Sequence, residues 1–370
     1  MTAGTSGGAW DALPGFVQAD RLVHVGAYAS AGGQSTRLTR CVGPDGGEYV
    51  FKSYTPEVRE SVRPDALAAM TSWRLGLSAA DRAELDRRCA WPRAVVMDGR
   101  EVQGVLMRPA PVAMFEVANG RTRTWSLPRH LDALARSEGQ ARKLGFDYYP
   151  APVKLAVLGR MLRTMLWLHE RGYAVGDLQP RNALFSFDGR AAEVLLVDCD
   201  ACVPLSGEPA HAPRDPEAWK APGSGPFGVR TDMFKFAWLV VRSLQENTVS
   251  TALDPGRLRA VMQSRTCDVL VELCAGRHPA DAVALLRDKA SVWPALVTPH
   301  ALYVQTDDSM RRQWRPDGAP PATAPPATAA REESAATAAA DVSSGTEIPA
   351  GFVAAVVLAV VFIALVLLLS

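Results

Sequence analysis

One short segment, residues 175–200, constrains the fold of this chain more than any other. It contains Val-Gly-Asp-Leu-Gln-Pro-Arg-Asn, then two apolar runs, then Asp-Cys-Asp. The runs, residues 183–187 and 193–197, are separated by five residues that begin with Asp188-Gly189, a dipeptide typical of the tight turn in a β-hairpin. Such a hairpin brings Asn182 and Asp198 side by side, because one precedes its first strand and the other follows its second. An amide and a carboxylate held together there can bind a hard cation, which prefers oxygen ligands.

Asp177 lies on the loop before this hairpin, where its carboxylate is free to accept a proton or to orient a hydroxyl group. The segment resembles the catalytic loop of the protein kinase superfamily, whose pattern is His-Arg-Asp-Leu-Lys-Pro-x-Asn, followed by a strand and Asp-Phe-Gly. The residues that match in order are Asp177, Leu178, Pro180 and Asn182, with Asp198 at the place of the metal-binding aspartate. A lone Asp-Leu dipeptide would be more typical of a surface loop with Asx turns, but the hairpin and an upstream lysine favour the resemblance.

The resemblance implies an α+β, two-lobed protein-kinase-like fold, with a β-rich N-lobe and a helical C-lobe. It implies ATP as a ligand together with Mg²⁺ or Mn²⁺, and it makes Asn182 and Asp198 the metal ligands. Asp177 would be the catalytic aspartate. Gln179 would stand where the family has its catalytic-loop lysine.

The N-terminal part contains features that this family uses to bind a nucleotide. Strand-like segments separated by glycines span residues 21–54. The family covers the nucleotide phosphates with a glycine-rich hairpin, which here would use Gly26, Gly32 and Gly33. Val-Phe-Lys, which ends at Lys52, resembles the family's Val-Ala-Ile-Lys strand, and the resemblance implies that this lysine pairs with the phosphates. The alternative for Lys52 is a solvent-exposed lysine on an edge strand.

The N-lobe is predicted to end at Met107, the last residue of a strand-like segment. The resemblance implies that Met107 contacts the nucleotide, because the Arg-Pro-Ala-Pro segment that follows, residues 108–111, would be the hinge where the backbone meets an adenine ring. In the family a helix glutamate holds the strand lysine. Residues 56–89 are predicted to be helical, and no glutamate in them is clearly spaced for this; the candidates are Glu57, Glu60 and Glu84.

The spacing of apolar residues predicts two helices in the C-lobe, over residues 127–144 and 153–171. A later helix opens around Asp232, which resembles the buried aspartate of the family's central C-lobe helix. Cys199 and Cys202 have the spacing of a zinc or redox pair. Because no second close pair and no nearby histidine accompany them, buried thiols are the better interpretation.

Four departures from the family pattern bear on activity. Val175 and Gly176 replace the histidine and arginine of the catalytic loop, and the loss of that arginine removes the usual dock for an activation-loop phosphate. Gln179 replaces the lysine that steadies the transferred phosphoryl group, so less charge is available to stabilise the transition state. The metal-binding aspartate is retained, but Cys199 and Asp200 replace the following Phe and Gly.

The composition limits which partners and which cellular compartment suit this chain. Forty Lys and Arg residues against 39 Asp and Glu give a net charge of +1, so no global field favours nucleic acid as a partner. The six cysteines are scattered, which suits a reducing compartment. Residues 1–15 are predicted to be disordered, and they have neither the basic start nor the apolar core of a signal peptide.

The C-terminal residues change character in two steps. Residues 316–349 are rich in Pro and Ala and nearly free of large apolar side chains, so they cannot bury enough surface to fold, and a linker is predicted over residues 301–350. Residues 351–369 are uninterrupted apolar sequence, about the 20 residues that a helix needs to cross a bilayer. These features predict a single-pass C-terminal transmembrane anchor. Basic residues upstream favour a cytoplasmic kinase-like domain; they are Arg311, Arg312, Arg315 and Arg331.

Three functions are compatible with the sequence. The first is a membrane-anchored, protein-kinase-like phosphotransferase that transfers the ATP γ-phosphate, weakly, to Ser or Thr of a protein. The second is a pseudokinase, a signalling scaffold that binds nucleotide or partners without catalysis. The third is a small-molecule phosphotransferase on the same fold, which the anchor and linker disfavour. The predicted domains are a disordered N-terminus (1–15), an N-lobe (16–107), a hinge and C-lobe (108–300), a linker (301–350) and a transmembrane helix (351–369).

Overall fold

The computed structural model describes residues 15–29, 35–119, 124–212, 215–223 and 226–297. Its N-terminal strands are β1 (Phe16–Gln18), β2 (Val23–Ala29), β3 (Ser35–Val42), β4 (Glu48–Tyr54), β5 (Ala94–Asp98) and β6 (Glu101–Met107). In this part of the chain they form one sheet in the order β1-β5-β6-β4-β3-β2. Neighbouring strands are antiparallel except β1 and β5, which are parallel.

Strand β4 sends its side chains alternately to the two faces of the sheet. Tyr49 and Phe51 pack in an apolar cluster on one face. Tyr54 belongs to the large core that continues into the C-terminal half, and Lys52 lies on the same face of the strand as Tyr54. The register pairs Lys52 with Val105 of β6, and the lysine is only 2% exposed. The alternative of a solvent-exposed edge-strand lysine is therefore wrong.

Helices connect β4 to β5. They are α1 (Pro56–Ser61), α2 (Pro64–Gly76) and α3 (Ala79–Arg88). The breaks have local causes: Pro64 disfavours helical backbone at the residue before it, and Ser78 caps α3 by accepting a hydrogen bond from the Asp81 N–H at 3.1 Å. The helical region predicted over residues 56–89 is thus divided.

Beyond the predicted hinge, the chain forms a hairpin that the sequence did not predict. Its strands are β7 (Phe115–Asn119) and β8 (Thr124–Pro128). The single helix predicted over residues 127–144 is therefore wrong. Its apolar residues are buried in a 3₁₀ turn, Leu131–Ala135, whose spacing resembles that of an α-helix. Helix α4 (Glu138–Leu144) begins only at a capping box formed by Ser137 and Gln140.

The rest of the C-terminal half is mainly helical. The elements are α5 (Ala151–Glu170), α6 (Val229–Gln245), α7 (Pro255–Arg259), α8 (Ser264–Cys274), α9 (Ala282–Val292) and the short strands β9 (Tyr173–Ala174), β10 (Ala183–Phe187), β11 (Ala192–Leu196) and β12 (Val203–Pro204). Helix α5 matches the helix predicted over residues 153–171 and is largely buried. Its Gly159 permits a close approach, because a Cβ there would lie 2.7 Å from Pro294 Cδ.

These elements make an α+β fold, with a β-rich sheet followed by a helical part, as predicted. None of the helices within the described ranges combines the length and the apolar character that a membrane span requires. The predicted transmembrane segment, residues 351–369, and the predicted linker, residues 301–350, lie outside those ranges. The same is true of residues 1–14.

Candidate active site

The β10–β11 hairpin brings the two predicted metal ligands to one end of a two-stranded ladder. Ala183 pairs with Leu196, and the Val197 N–H donates to the backbone oxygen of Asn182 at 2.9 Å. Asp198 follows directly. Its backbone is left-handed, with φ of 57°, a conformation that aspartate tolerates better than most residues. The predicted juxtaposition of Asn182 and Asp198 is therefore present in the structure.

Lys52 reaches this hairpin from the N-lobe sheet. Its ammonium lies 3.4 Å from Asp198 Oδ1, and 2.9 and 3.0 Å from the two carboxylate oxygens of Asp200. Asp200 is fully buried and also accepts a hydrogen bond from the Tyr54 hydroxyl at 2.8 Å. The partner of Lys52 is thus Asp200, which no local pattern in the sequence predicts. Glu84, one of the helix candidates, instead pairs with Arg87 and Arg88.

The Lys52–Asp200 pair stays charged although both groups are buried. Burial alone would lower the pKa of the Lys52 ammonium, but the Asp198 and Asp200 carboxylates raise it above its ordinary value. Burial alone would raise the pKa of Asp200, but Lys52 and His211 hold it well below the usual range for a carboxyl group. Asp198 differs from Asp200 in its surroundings, because its side chain is 40% exposed. The exposed carboxylate is the one available to a ligand.

Asp177 sits at the centre of a second cluster, formed by the predicted catalytic residues. The Gln179 amide nitrogen donates to both of its carboxylate oxygens, at 2.9 and 3.1 Å. The Asn182 amide nitrogen donates to Asp177 Oδ2 at 2.8 Å and to its backbone oxygen at 2.9 Å. Burial raises the pKa of Asp177; the two amides and the Lys235 charge lower it only in part. The loop therefore presents an oriented carboxylate, with Gln179 and Asn182 holding it.

Side chains of helix α6 bind the backbone of the loop that precedes Asp177. Asp232 is fully buried, as predicted, and accepts hydrogen bonds from the Val175 N–H at 2.7 Å and the Gly176 N–H at 3.0 Å. The same carboxylate lies 2.7 Å from a ring nitrogen of His169. One turn further on, Lys235 donates to the Gly176 oxygen at 2.5 Å. The loop before Asp177 is thus bound through both its N–H and its C=O groups.

Gly176 has a structural reason to replace the family's arginine. Its φ is +72°, and a Cβ at this position would lie 2.8 Å from Val203 Cγ2 of strand β12. Both features exclude a larger side chain. Lys235, which the sequence analysis did not select, also pairs with Asp215 in the segment that follows Asp198. Its signal in the sequence was its position one helical turn after Asp232.

The predicted nucleotide-binding residues of the N-lobe are less clearly arranged. Met107 is buried and pairs with Val50 of β4. Gly26 lies inside strand β2, opposite Arg40, rather than at the β2–β3 turn, and a Cβ added to it would meet nothing within 4 Å. Gly32 and Gly33 lie outside the described residues. The structure therefore gives Gly26 no packing role that would require glycine.

Tyr28 on strand β2 reaches the predicted hinge. Its hydroxyl accepts a hydrogen bond from the Ala110 N–H at 2.7 Å, and its ring meets that of Phe115 edge-on, with centroids 6.1 Å apart. Burial raises the pKa of Tyr28, which keeps the hydroxyl protonated. The sequence offered no signal for this contact, because strand β2 and the hinge are distant along the chain.

No protein-family profile matches the chain, and no curated protein matches its sequence. Among solved structures, a similar chain is the Mycobacterium tuberculosis PknI kinase domain, determined as a double mutant. The two are 14% identical, the match covers 75% of this chain and 100% of that chain, and the TM-score is 0.47. So low an identity transfers no residue's role from PknI to this chain.

Proposed function

We propose that this chain is a protein-kinase-like phosphotransferase that transfers the γ-phosphate of ATP to Ser or Thr of a protein, and that residues 351–369 anchor it in a membrane. The observation that carries the proposal is the position of Lys52, a buried ammonium 3.4 Å from the exposed carboxylate of Asp198. A fixed positive charge beside a ligand-accessible carboxylate suits phosphoryl transfer, because catalysis there is mostly positioning and neutralisation of charge.

Each residue of the site has a role in this proposal. Lys52 would bind phosphate oxygens, and Asp177 would orient the acceptor hydroxyl and accept its proton. Asp198 and Asn182 would hold Mg²⁺ or Mn²⁺, which when bound would neutralise phosphate charge. Their donor set suits such an ion, because both offer oxygen atoms and the Asn182 hydrogen bonds to Asp177 use only the amide nitrogen. Gln179 would contribute only a neutral hydrogen bond, so we expect slow transfer.

Transfer of labelled phosphate from ATP to protein tests the proposal directly. The full chain, purified in detergent, is incubated with γ-labelled ATP and a mixed protein substrate. We expect label on Ser or Thr with Mg²⁺ or Mn²⁺ present, and none when a chelator removes the cation. If the chain binds ATP but labels only a small molecule, the small-molecule phosphotransferase is the better function. The predicted linker and anchor disfavour this alternative.

A second candidate function, a scaffold without catalysis, is favoured by the contact between Tyr28 and Ala110. In a kinase-like site, the segment 108–111 is where the backbone would meet an adenine ring. Here its Ala110 N–H is already bonded to the Tyr28 hydroxyl at 2.7 Å. A nucleotide base would have to displace Tyr28 to reach this donor. Weak nucleotide binding would suit a scaffold whose partners are proteins.

Replacing Tyr28 by Ala is expected to strengthen ATP binding about tenfold, because it frees a hydrogen-bond donor of roughly 1 kcal/mol net value and removes the ring beside it. The measurement is the rise in melting temperature at fixed ATP and Mg²⁺, since a ligand that binds only the native state stabilises it. Tyr148→Ala is the control, because that hydroxyl bonds Glu246 in the C-lobe. An equal response in Tyr28→Ala and wild type would contradict the blocking role.

Ending the chain at Pro349 is expected to move the protein from the membrane pellet to the soluble fraction. The reason is that this removes the whole apolar run of residues 351–369, the proposed anchor. Fractionation of the expressing cells by ultracentrifugation measures the effect. Deletion of residues 316–349 alone is the control, because it shortens the linker but keeps the apolar run. A truncated chain that remains in the pellet would contradict the anchor.

A further inference from the structure

Asp200 is a buried carboxylate that joins the sheet to the segment after β11. Its two oxygens lie 2.9 and 3.0 Å from the Lys52 ammonium, and Oδ2 accepts a hydrogen bond from the Tyr54 hydroxyl at 2.8 Å. A ring nitrogen of His211 lies 3.5 Å from the same oxygen. Lys52 and Tyr54 belong to strand β4, whereas Asp200 and His211 come from the C-terminal half. The carboxylate therefore binds partners from both parts of the fold.

The local backbone explains how residue 200 reaches the lysine. The left-handed Asp198 starts a 3₁₀ turn, Cys199–Ala201, in which the Ala201 N–H donates to the Asp198 oxygen at 3.0 Å. This turn leaves the Asp198 side chain 40% exposed and directs that of Asp200 into the protein, where it is 0% exposed. Both carboxylates approach the same ammonium. The family motif has Gly at this position, which has no side chain for such a contact.

We infer that Asp200 is the positioning residue of Lys52 and does here what a helix glutamate does in the kinase family, an inference that rests on the proposed phosphate transfer. The lysine is then fixed by its own strand and by the turn that carries the metal-binding aspartate. Helices α1 to α3 need not move for the lysine to be in place. The carboxylates that hold the lysine therefore come from this turn and not from α1, α2 or α3.

The alternative explanation is that Lys52 and Asp200 form an ion pair that only stabilises the fold. The chain contains a matched comparison for it, between helix α5 and the residue that follows α6. Lys154 is 2% exposed and pairs at 3.0 Å with Glu246, which also accepts a hydrogen bond from the Tyr148 hydroxyl at 2.7 Å. A lysine, a carboxylate and a tyrosine thus form the same kind of cluster outside the candidate site. Glu246→Gln measures what loss of the carboxylate does when only stability is at stake.

Asp200→Asn keeps the size of the side chain but removes its charge. Lys52 then has Asp198 as its remaining carboxylate partner, so the ammonium competes with the cation for Asp198. We expect the Mg²⁺ concentration for half-maximal transfer and the KM for ATP each to rise about tenfold or more. Glu246→Gln should leave both within about twofold of wild type, because its effect is confined to stability. Both variants are assayed in the full chain at a temperature where they are folded.

Equal values in Asp200→Asn and Glu246→Gln would overturn the inference, since a structural pair would explain both. If Asp200→Asn does not fold, Asp200→Glu replaces it, because this change keeps the charge and displaces it by one methylene. We then expect a smaller rise in the same two quantities, and wild-type values would overturn the inference.

The competition between the Lys52 ammonium and Mg²⁺ for Asp198 can also be measured without catalysis. It changes the Mg²⁺ dependence of the melting-temperature rise that ATP produces. A wild-type chain that binds ATP and Mg²⁺ but transfers no phosphate contradicts the proposed function. The role of Asp200 is then tested by the Mg²⁺ dependence of the melting-temperature rise in Asp200→Asn. A wild-type chain that binds neither contradicts both. These outcomes separate a failure of the inference from a failure of the function.

Discussion

Replacing Asp177 by Asn is expected to lower the rate of phosphate transfer by about 10²–10⁴-fold, the usual contribution of a positioned general base. In the structure, Gln179 and Asn182 direct amide nitrogens at its oxygens from 2.8 to 3.1 Å. An asparagine at this position has one oxygen where the carboxylate has two, so its own amide nitrogen opposes one of these donors. The variant therefore loses both the base and its orientation.

Initial rates with γ-labelled ATP, measured for equal amounts of folded protein, give this ratio. Asp268→Asn is the control for a carboxylate-to-amide change, because Asp268 forms an exposed ion pair with Arg259 on the surface. It should transfer phosphate at the wild-type rate. If wild type and Asp177→Asn transfer the same small amount of label, the scaffold is the better function.

Gln179→Lys changes the same cluster but is expected to raise the rate of phosphate transfer. A hydrogen bond from a charged group is worth about 1.5–3 kcal/mol against about 1 kcal/mol for a neutral one, and this difference of about 0.5–2 kcal/mol corresponds to about 2- to 30-fold in rate. Lys235 already places a positive charge near Asp177, which offsets part of the rise that burial causes in the pKa of this carboxyl group. We therefore expect the gain to be about threefold, near the lower end of that range. Gln179→Met, which adds no charge, should give no gain.

The loop that carries Asp177 and Asn182 could be predicted from the sequence because its determinants are local. An Asp-Gly turn between two apolar runs specifies the hairpin, and the hairpin places Asn182 beside Asp198. Asp232 could be predicted because an aspartate in an apolar helix needs buried partners, which the loop backbone supplies. In each case a short pattern of residue types implies its own geometry.

The partner of Lys52 could not be predicted, because Asp200 lies 148 residues away in the sequence. The family pattern has a glycine at the position of Asp200, so the resemblance points to the helix glutamates instead. The contact between Tyr28 and Ala110 is also long-range, since it joins residues 82 positions apart in the sequence. The wrong helix over residues 127–144 has a different cause. Buried leucines in the 3₁₀ turn Leu131–Ala135 have nearly the spacing of an α-helix.

Asp232→Asn is expected to destabilise the fold strongly, because one carboxylate satisfies three buried groups. Its oxygens accept from the Val175 and Gly176 N–H groups at 2.7 and 3.0 Å, and one of them lies 2.7 Å from the His169 ring nitrogen. An amide nitrogen in place of one oxygen would face a donor. Each buried donor left without a partner costs about 1–3 kcal/mol, so we expect a loss of roughly 2–5 kcal/mol in the free energy of unfolding. Phosphate transfer should fall as well, since Gly176 precedes Asp177.

Urea unfolding measures this loss as a lower midpoint, since the slope with denaturant should stay constant when only stability changes. Asp268→Asn again provides the comparison, because an exposed ion pair contributes about 0–1 kcal/mol. Lys235 also holds the loop, through the Gly176 oxygen at 2.5 Å. If Asp232→Asn and Asp268→Asn unfold at the same urea concentration, this lysine alone is sufficient to fix the loop, and the buried carboxylate of α6 is not its main support.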